Sequence, residues 1–118
     1  MTQLLIVILD DLKSMPELLQ TWKAIGVPGV TILESVGGYR MESWLSRVGL
    51  GSLDRLFETK EVRRRTLIVA IEDDDLLNQA VAEAELAVGG FDRPDSGLLL
   101  VLPMTQVMGL HKVVRPQT

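Results

Sequence analysis

The chain has 118 residues, enough for one domain whose core needs no disulfide or metal staple. A hydrophobic content of 47% and a charged content of 24% are those of an ordinary folded protein and exclude a disordered chain. A formal net charge of −4 argues against a dedicated nucleic-acid binder, and the lack of cysteine excludes disulfides and thiolate metal sites. The longest apolar run, Leu4–Leu9, falls far short of the roughly 20 residues of a membrane-spanning helix. The Met-Thr-Gln before it supplies no basic region for a signal peptide, so the expectation is a cytoplasmic protein.

In chain order, Leu4–Leu9 is a short β-branched run stopped by Asp10-Asp11, the pattern of a strand buried on both faces. Ser14 then reads as a helix N-cap with Glu17 completing a capping box, and Pro16 fits the first turn. Met15, Leu18, Leu19, Trp22 and Ile25 form an apolar stripe at helical spacing, closed by Gly26. After the turn Val27-Pro28-Gly29, a second strand covers Val30–Val36, with Val30, Ile32 and Val36 on one face and Thr31, Leu33 and Ser35 on the other. Glu34 interrupts the apolar face and belongs at a rim or an interface. Gly37-Gly38 ends the strand.

A long connection follows, from Tyr39 to Arg65. It carries its own helical stripe of Met41, Trp44, Leu45 and Val48, resumed by Leu53, Leu56 and Phe57 after Gly49 and Gly51. Long connections with amphipathic pieces are more often functional than inert. Two readings stand for the stripe: packing against the protein's own body, or a docking helix anchored by Trp44, Leu45, Val48 and Phe57. Arg63–Arg65 reads as a solvated run at the end of this connection. Thr66–Ile71 is the third strand. Glu72–Asp75 leads a second helix, where carboxylates suit the dipole of a helix N-terminus better than they argue for a hard metal ion. Leu77, Ala80, Val81, Ala84 and Val88 give its stripe, and Gly89-Gly90 stops it. A polar turn, Phe91–Gly97, precedes an apolar strand at Leu98–Leu102, and Val107–Val113 reads as a short extra strand. The order is β-α-β, long loop, β-α-β. The expected fold is α+β, a ferredoxin-like βαββαβ sandwich spanning residues 1–118, with a long loop between strands 2 and 3 and an extra C-terminal strand. Two helices cover only one face of such a sheet. The apolar runs ask for burial of the other, which predicts a homo-oligomer.

The stretch Leu18–Gly37, L-L-Q-T-W-K-A-I-G-V-P-G-V-T-I-L-E-S-V-G, resembles the nitrogen-regulatory P-II signal-transduction proteins. It is similar to their helix, their G-[IV]-x-G-[MV]-T turn and strand, and the glycine that opens their T-loop. Asp73-Asp74 and Leu98–Leu102 fall in the same register, so the resemblance runs through nearly the whole chain. It implies a homotrimer that holds an adenine nucleotide (ATP, ADP or AMP) between subunits. It also implies that a protruding T-loop, here within residues 39–65, signals the bound state to a regulated enzyme or transporter. The chain departs from the family at three places: the glycine loop, the last-strand arginines, and the T-loop tyrosine, since the only tyrosine, Tyr39, sits at the loop base. Where the family carries a basic glycine loop close to T-G-K-I-G-D-G-K, this chain reads G-G-F-D-R-P-D-S-G-L, with Leu98 at the final lysine position. The family's last-strand arginines fall near Gly109 and His111.

The ligand-binding residues implied by the resemblance are Thr31, Gly37 and Gly38 with Asp95, Ser96 and Gly97. Arg40, Arg64 and Arg93 are cations placed to serve an anionic group. The alternative account of the glycines is turn formation. No nucleophile–base pair is discernible, so no enzymatic activity is expected. His111 is the only histidine, and a metal site would need carboxylates or other subunits beside it. The competing expectations are a CutA-like trimer with a metal or stress role, and a P-II scaffold acting only by protein–protein interaction. An RNA-binding module is disfavoured by the missing stacking aromatics and the sign of the charge.

Overall fold

The computed structural model describes residues 1–36, 46 and 63–111. Strand β1 (Gln3–Leu9) lies inside the sheet, and its alternation divides the molecule. Leu5, Val7 and Leu9 point to one side and are fully buried, while Leu4, Ile6 and Ile8 point to the other and stay half-buried. The remaining elements are α1 (Ser14–Ile25), β2 (Thr31–Val36), β3 (Arg63–Ile71), α2 (Asp74–Val88) and β4 (Gly97–Pro103). The sheet order is β2-β3-β1-β4 and every neighbouring pair is antiparallel, which is the expected ferredoxin-like α+β fold.

Both helices lie on the Leu5–Val7–Leu9 side. Leu18 and Trp22 of α1, and Leu77, Ala80, Ala84 and Val88 of α2, join Leu67, Val69 and Ile71 of β3 in one core. The small Ala80 lets α1 approach α2 closely enough for Trp22 Nε1 to donate to the Ala80 carbonyl at 3.0 Å. Such a bond satisfies the indole of a side chain with no exposed surface. Each helix ends on a left-handed glycine, Gly26 at φ 97° and Gly89 at φ 74°. At the start of α2, Asp73 accepts from the Asp75 and Leu76 amides, so part of the acidic run serves as a cap.

Three expectations are corrected. The Ser14–Glu17 capping box does not form. Asp11 opens the turn earlier, its carboxylate taking the Lys13 amide at 2.9 Å, and Ser14 is already helical instead of extended. Arg63–Arg65 is not a solvated run but the first part of β3, where Arg64 pairs with Asp10, just past β1, and Arg65 pairs with Glu34 on β2. The strand expected at Val107–Val113 is absent over its described part, residues 107–111. Pro103 ends β4, one further rung joins the Met104 amide to the Thr2 carbonyl, and Gly109 then turns the chain at φ 87°. Residues 112 and 113 lie outside the described residues.

Neither apolar strand is buried on both faces within one chain. Across the helix-free face run the rows Thr31–Ile68–Ile6–Leu100 and Leu33–Thr66–Ile8–Leu98. Leu33, Leu98, Leu100 and Leu102 keep between 40% and 50% of their surface exposed.

Trp22→Ala is expected to cost about 3–5 kcal/mol. Trp22→Phe, which keeps most of the volume but loses the bond to Ala80, should cost about 1–2 kcal/mol. Urea denaturation followed by circular dichroism measures both.

Candidate functional site

The ends of β1 and β2 and the starts of β3 and β4 meet at one end of the sheet. The connection between β2 and β3 leaves and returns there, and the turn before β4 reaches the sheet there. Arg64, Asp95, Ser96 and Gly97 are therefore brought to the same end. Thr31 is not. It starts β2, in the row of Leu100. Three strand spacings and three residues separate it from Gly97, about 17 Å in one chain. Gly37, Gly38 and Arg40, and the loop residues Trp44, Leu45, Val48 and Phe57, lie outside the described residues.

Among the described residues, Arg64, Arg65 and Arg93 at this end are each engaged. Arg64 Nε lies 3.0 Å from Asp10 Oδ1, an ion pair without the alignment of a directed hydrogen bond, and the Asp10 side chain is only 9% exposed. Arg65 donates to Glu34 at 2.8 Å directly across the β2–β3 ladder. Glu34 therefore serves a cross-strand pair at the rim of the sheet. Beside these, the Ser35 and Thr66 hydroxyls share a hydrogen bond of 3.0 Å. Arg93 reaches back from the turn to donate to the Val88 carbonyl, at the end of α2 where free carbonyls favour a cation.

The turn itself is built around Ser96. Its hydroxyl is buried and donates towards the carbonyls of Arg93, at 2.7 Å, and Phe91, at 3.1 Å. Asp95 holds a left-handed backbone at φ 59°. Gly97, at φ 128°, passes so close to β1 that a Cβ there would stand 2.0 Å from the Ile8 carbonyl oxygen. The turn borders a polar cavity of about 330 Å³ on the helix side, shared with Asp11, Ser14 and Gly89. Asp95 and Ser96 were legible in the sequence. Asp11 and Ser14 as cavity walls were not, since their only signal is a strand-to-helix turn.

At the opposite end of the sheet, residues of the 104–111 segment line cavities together with Thr2, Glu72, Asp73 and Leu76. There His111 Nε2 lies 2.9 Å from Glu72 Oε2, both largely exposed. Among the described residues no three side chains of His, Asp or Glu converge as metal ligands do. No described helix is long and apolar enough to cross a membrane.

No protein-family model matches the sequence, and no curated protein matches it. Among solved structures, the chain is similar to a protein of unknown function from Pediococcus pentosaceus ATCC 25745. The TM-score is 0.57 at 17% identity, over 91% of this chain and 95% of that one. At that identity the likeness supports the fold alone.

Gly97→Ala should destabilise the protein by at least about 3 kcal/mol, through backbone strain and the clash with Ile8. Gly29→Ala meets nothing within 4 Å and should change stability by less than about 0.5 kcal/mol. Thermal or urea unfolding of the two variants side by side checks the contrast.

Proposed function

We propose that the chain is a P-II-like regulatory protein. In this reading it works as a homotrimer, holds a small effector in clefts between subunits, and signals to an enzyme or transporter through residues 39–65. An adenine nucleotide is the first effector to test. The observation that carries the reading is the shared sheet end: the roots of the long β2–β3 connection lie beside Arg64 and the Asp95–Gly97 turn. An effector held there touches the base of the segment that would signal. The 17 Å or so between Thr31 and Gly97 fits the same reading. In this reading a second subunit supplies one of the two sets.

A second reading, a P-II scaffold that acts only through protein–protein contact, draws on the same end of the sheet. Arg64, Arg65 and Arg93 each have a partner within the chain, and Ser96 and Gly97 have structural tasks. A triphosphate would have to displace Asp10 or Glu34 to recruit these cations.

Thermal shift against ATP, ADP, AMP, cyclic nucleotides, 2-oxoglutarate and bicarbonate, with and without Mg²⁺, separates the readings. A ligand at a hundredfold excess over its Kd stabilises by about 2.7 kcal/mol, a shift of many degrees for a domain of this size. A positive adenine nucleotide supports the first reading. A flat response across the panel from a well-behaved oligomer favours the second. Under either reading Trp44→Ala should leave assembly and stability intact and abolish partner capture. A loss of about 3 kcal/mol would instead make Trp44 part of the core.

A further inference from the structure

Two clefts adjoin at the sheet end opposite the Asp95–Gly97 turn. One, of about 420 Å³, is lined by Thr2, Glu72 and residues of the 104–111 segment. The other, of about 270 Å³, has Pro28, Ile71, Asp73 and Leu76 in its walls. Glu72, Leu110 and His111 belong to both. Small-molecule sites occupy about 300–1,000 Å³, so the pair is of ligand size. The Gln3–Pro103 end of the β1–β4 ladder lies about 20 Å from its Leu9–Gly97 end. This place is therefore separate from the effector cleft proposed above, and the inference does not rest on that reading.

The 104–111 segment is tied to the body at both ends. The Met104 amide donates to the Thr2 carbonyl at 3.1 Å, and His111 Nε2 lies 2.9 Å from Glu72 Oε2. Between these ties residues 105–109 are exposed. After the turn at Gly109, Leu110 returns to a half-buried position in the wall that the two clefts share. The segment thus borders a space that it does not fill.

The walls say what kind of molecule fits. Pro28, Ile71, Leu76 and Leu110 make an apolar side. The charge is mostly of one sign. Among the described lining residues, the carboxylates of Glu72 and Asp73 are accompanied by no lysine or arginine, and His111 is the one basic group. Asp74 and Asp75 follow at once in the chain and deepen the negative potential. A phosphate or carboxylate is repelled by such a site. A metal ion finds too few ligands. Asp73 already caps α2 through the Asp75 and Leu76 amides, and among the described residues no third side chain of His, Asp or Glu converges with Glu72 and His111. An organic cation needs only one carboxylate. Its ammonium donates a charge-assisted hydrogen bond to Glu72, of which His111 takes one oxygen, and its apolar body covers Leu76 and Leu110.

We propose that these clefts form a binding site for a small primary amine with an apolar body, with Glu72 as the acceptor of its ammonium group. The test is an amide-resolved NMR titration of the full chain with benzylamine, set against benzoate, benzyl alcohol and methylammonium. Benzylamine should move the amide resonances of Glu72, Leu76, Leu110 and His111 to saturation, and each of the other three probes should bind at least about tenfold more weakly. Glu72→Gln should weaken benzylamine binding by about tenfold or more. Glu85→Gln, the same change of charge at an exposed position of α2, should leave it unchanged. His111→Gln keeps a donor for Glu72 and should retain binding. The absence of a saturable response to benzylamine overturns the proposal. So does an equal response to any of the other three probes, or full affinity in Glu72→Gln. Equal losses in Glu72→Gln and His111→Gln also overturn it, since Glu72 would then act only by holding the 104–111 segment in place.

Discussion

The constraint on which this structure depends is the two-sided pairing of β1. Each of its seven residues faces a partner on β3 and another on β4. Its backbone groups are thus satisfied from both sides, and its side chains are sorted without ambiguity into two layers. A slip of one residue would carry Leu5, Val7 and Leu9 to the open face and leave the helices nothing to cover. Gly97 guards that register from the β4 side, because only a residue without a side chain passes the Ile8 carbonyl at this distance. On the helix side, the bond from Trp22 to Ala80 ties the two helices to each other above the same strand.

The candidate site follows from this arrangement. Two polar clusters end the sheet where the long connection departs: the cross-strand pairs Arg65–Glu34 and Arg64–Asp10, and the Ser96-centred turn. The first is held by ion pairs and the second by the hydrogen bonds of the Ser96 hydroxyl. Among the described residues there, Arg64 and Arg65 are held by carboxylates and Arg93 by the Val88 carbonyl.

Most of the fold was legible in the sequence because periodicity reports burial directly. The stripes of both helices and the four strands come out where the apolar spacing put them, and Gly26 and Gly89 end the helices as expected. The failures share a cause: they depend on residues distant in sequence. Arg63–Arg65 reads as a solvated run until Glu34 and Asp10 are seen beside it. The Leu98–Leu102 run predicts burial on both faces, but a single chain supplies cover for only one. Ser14 has the composition of a cap, but Asp11 three residues earlier had already begun the turn. The site was legible in part. Asp95, Ser96 and Gly97 stood out as a polar turn before a strand, yet Thr31 lies at a distance from them that no spacing in the sequence reveals.

Gln3 faces Pro103 at the far end of the β1–β4 ladder. β1 therefore waits for β4, roughly a hundred residues later, before its second edge is closed. During synthesis β1 stays an apolar segment with one side unpaired until β4 has been made, since loop closure must precede the contact that rewards it. The vulnerable interval in the life of this protein is thus the time before β4 leaves the ribosome.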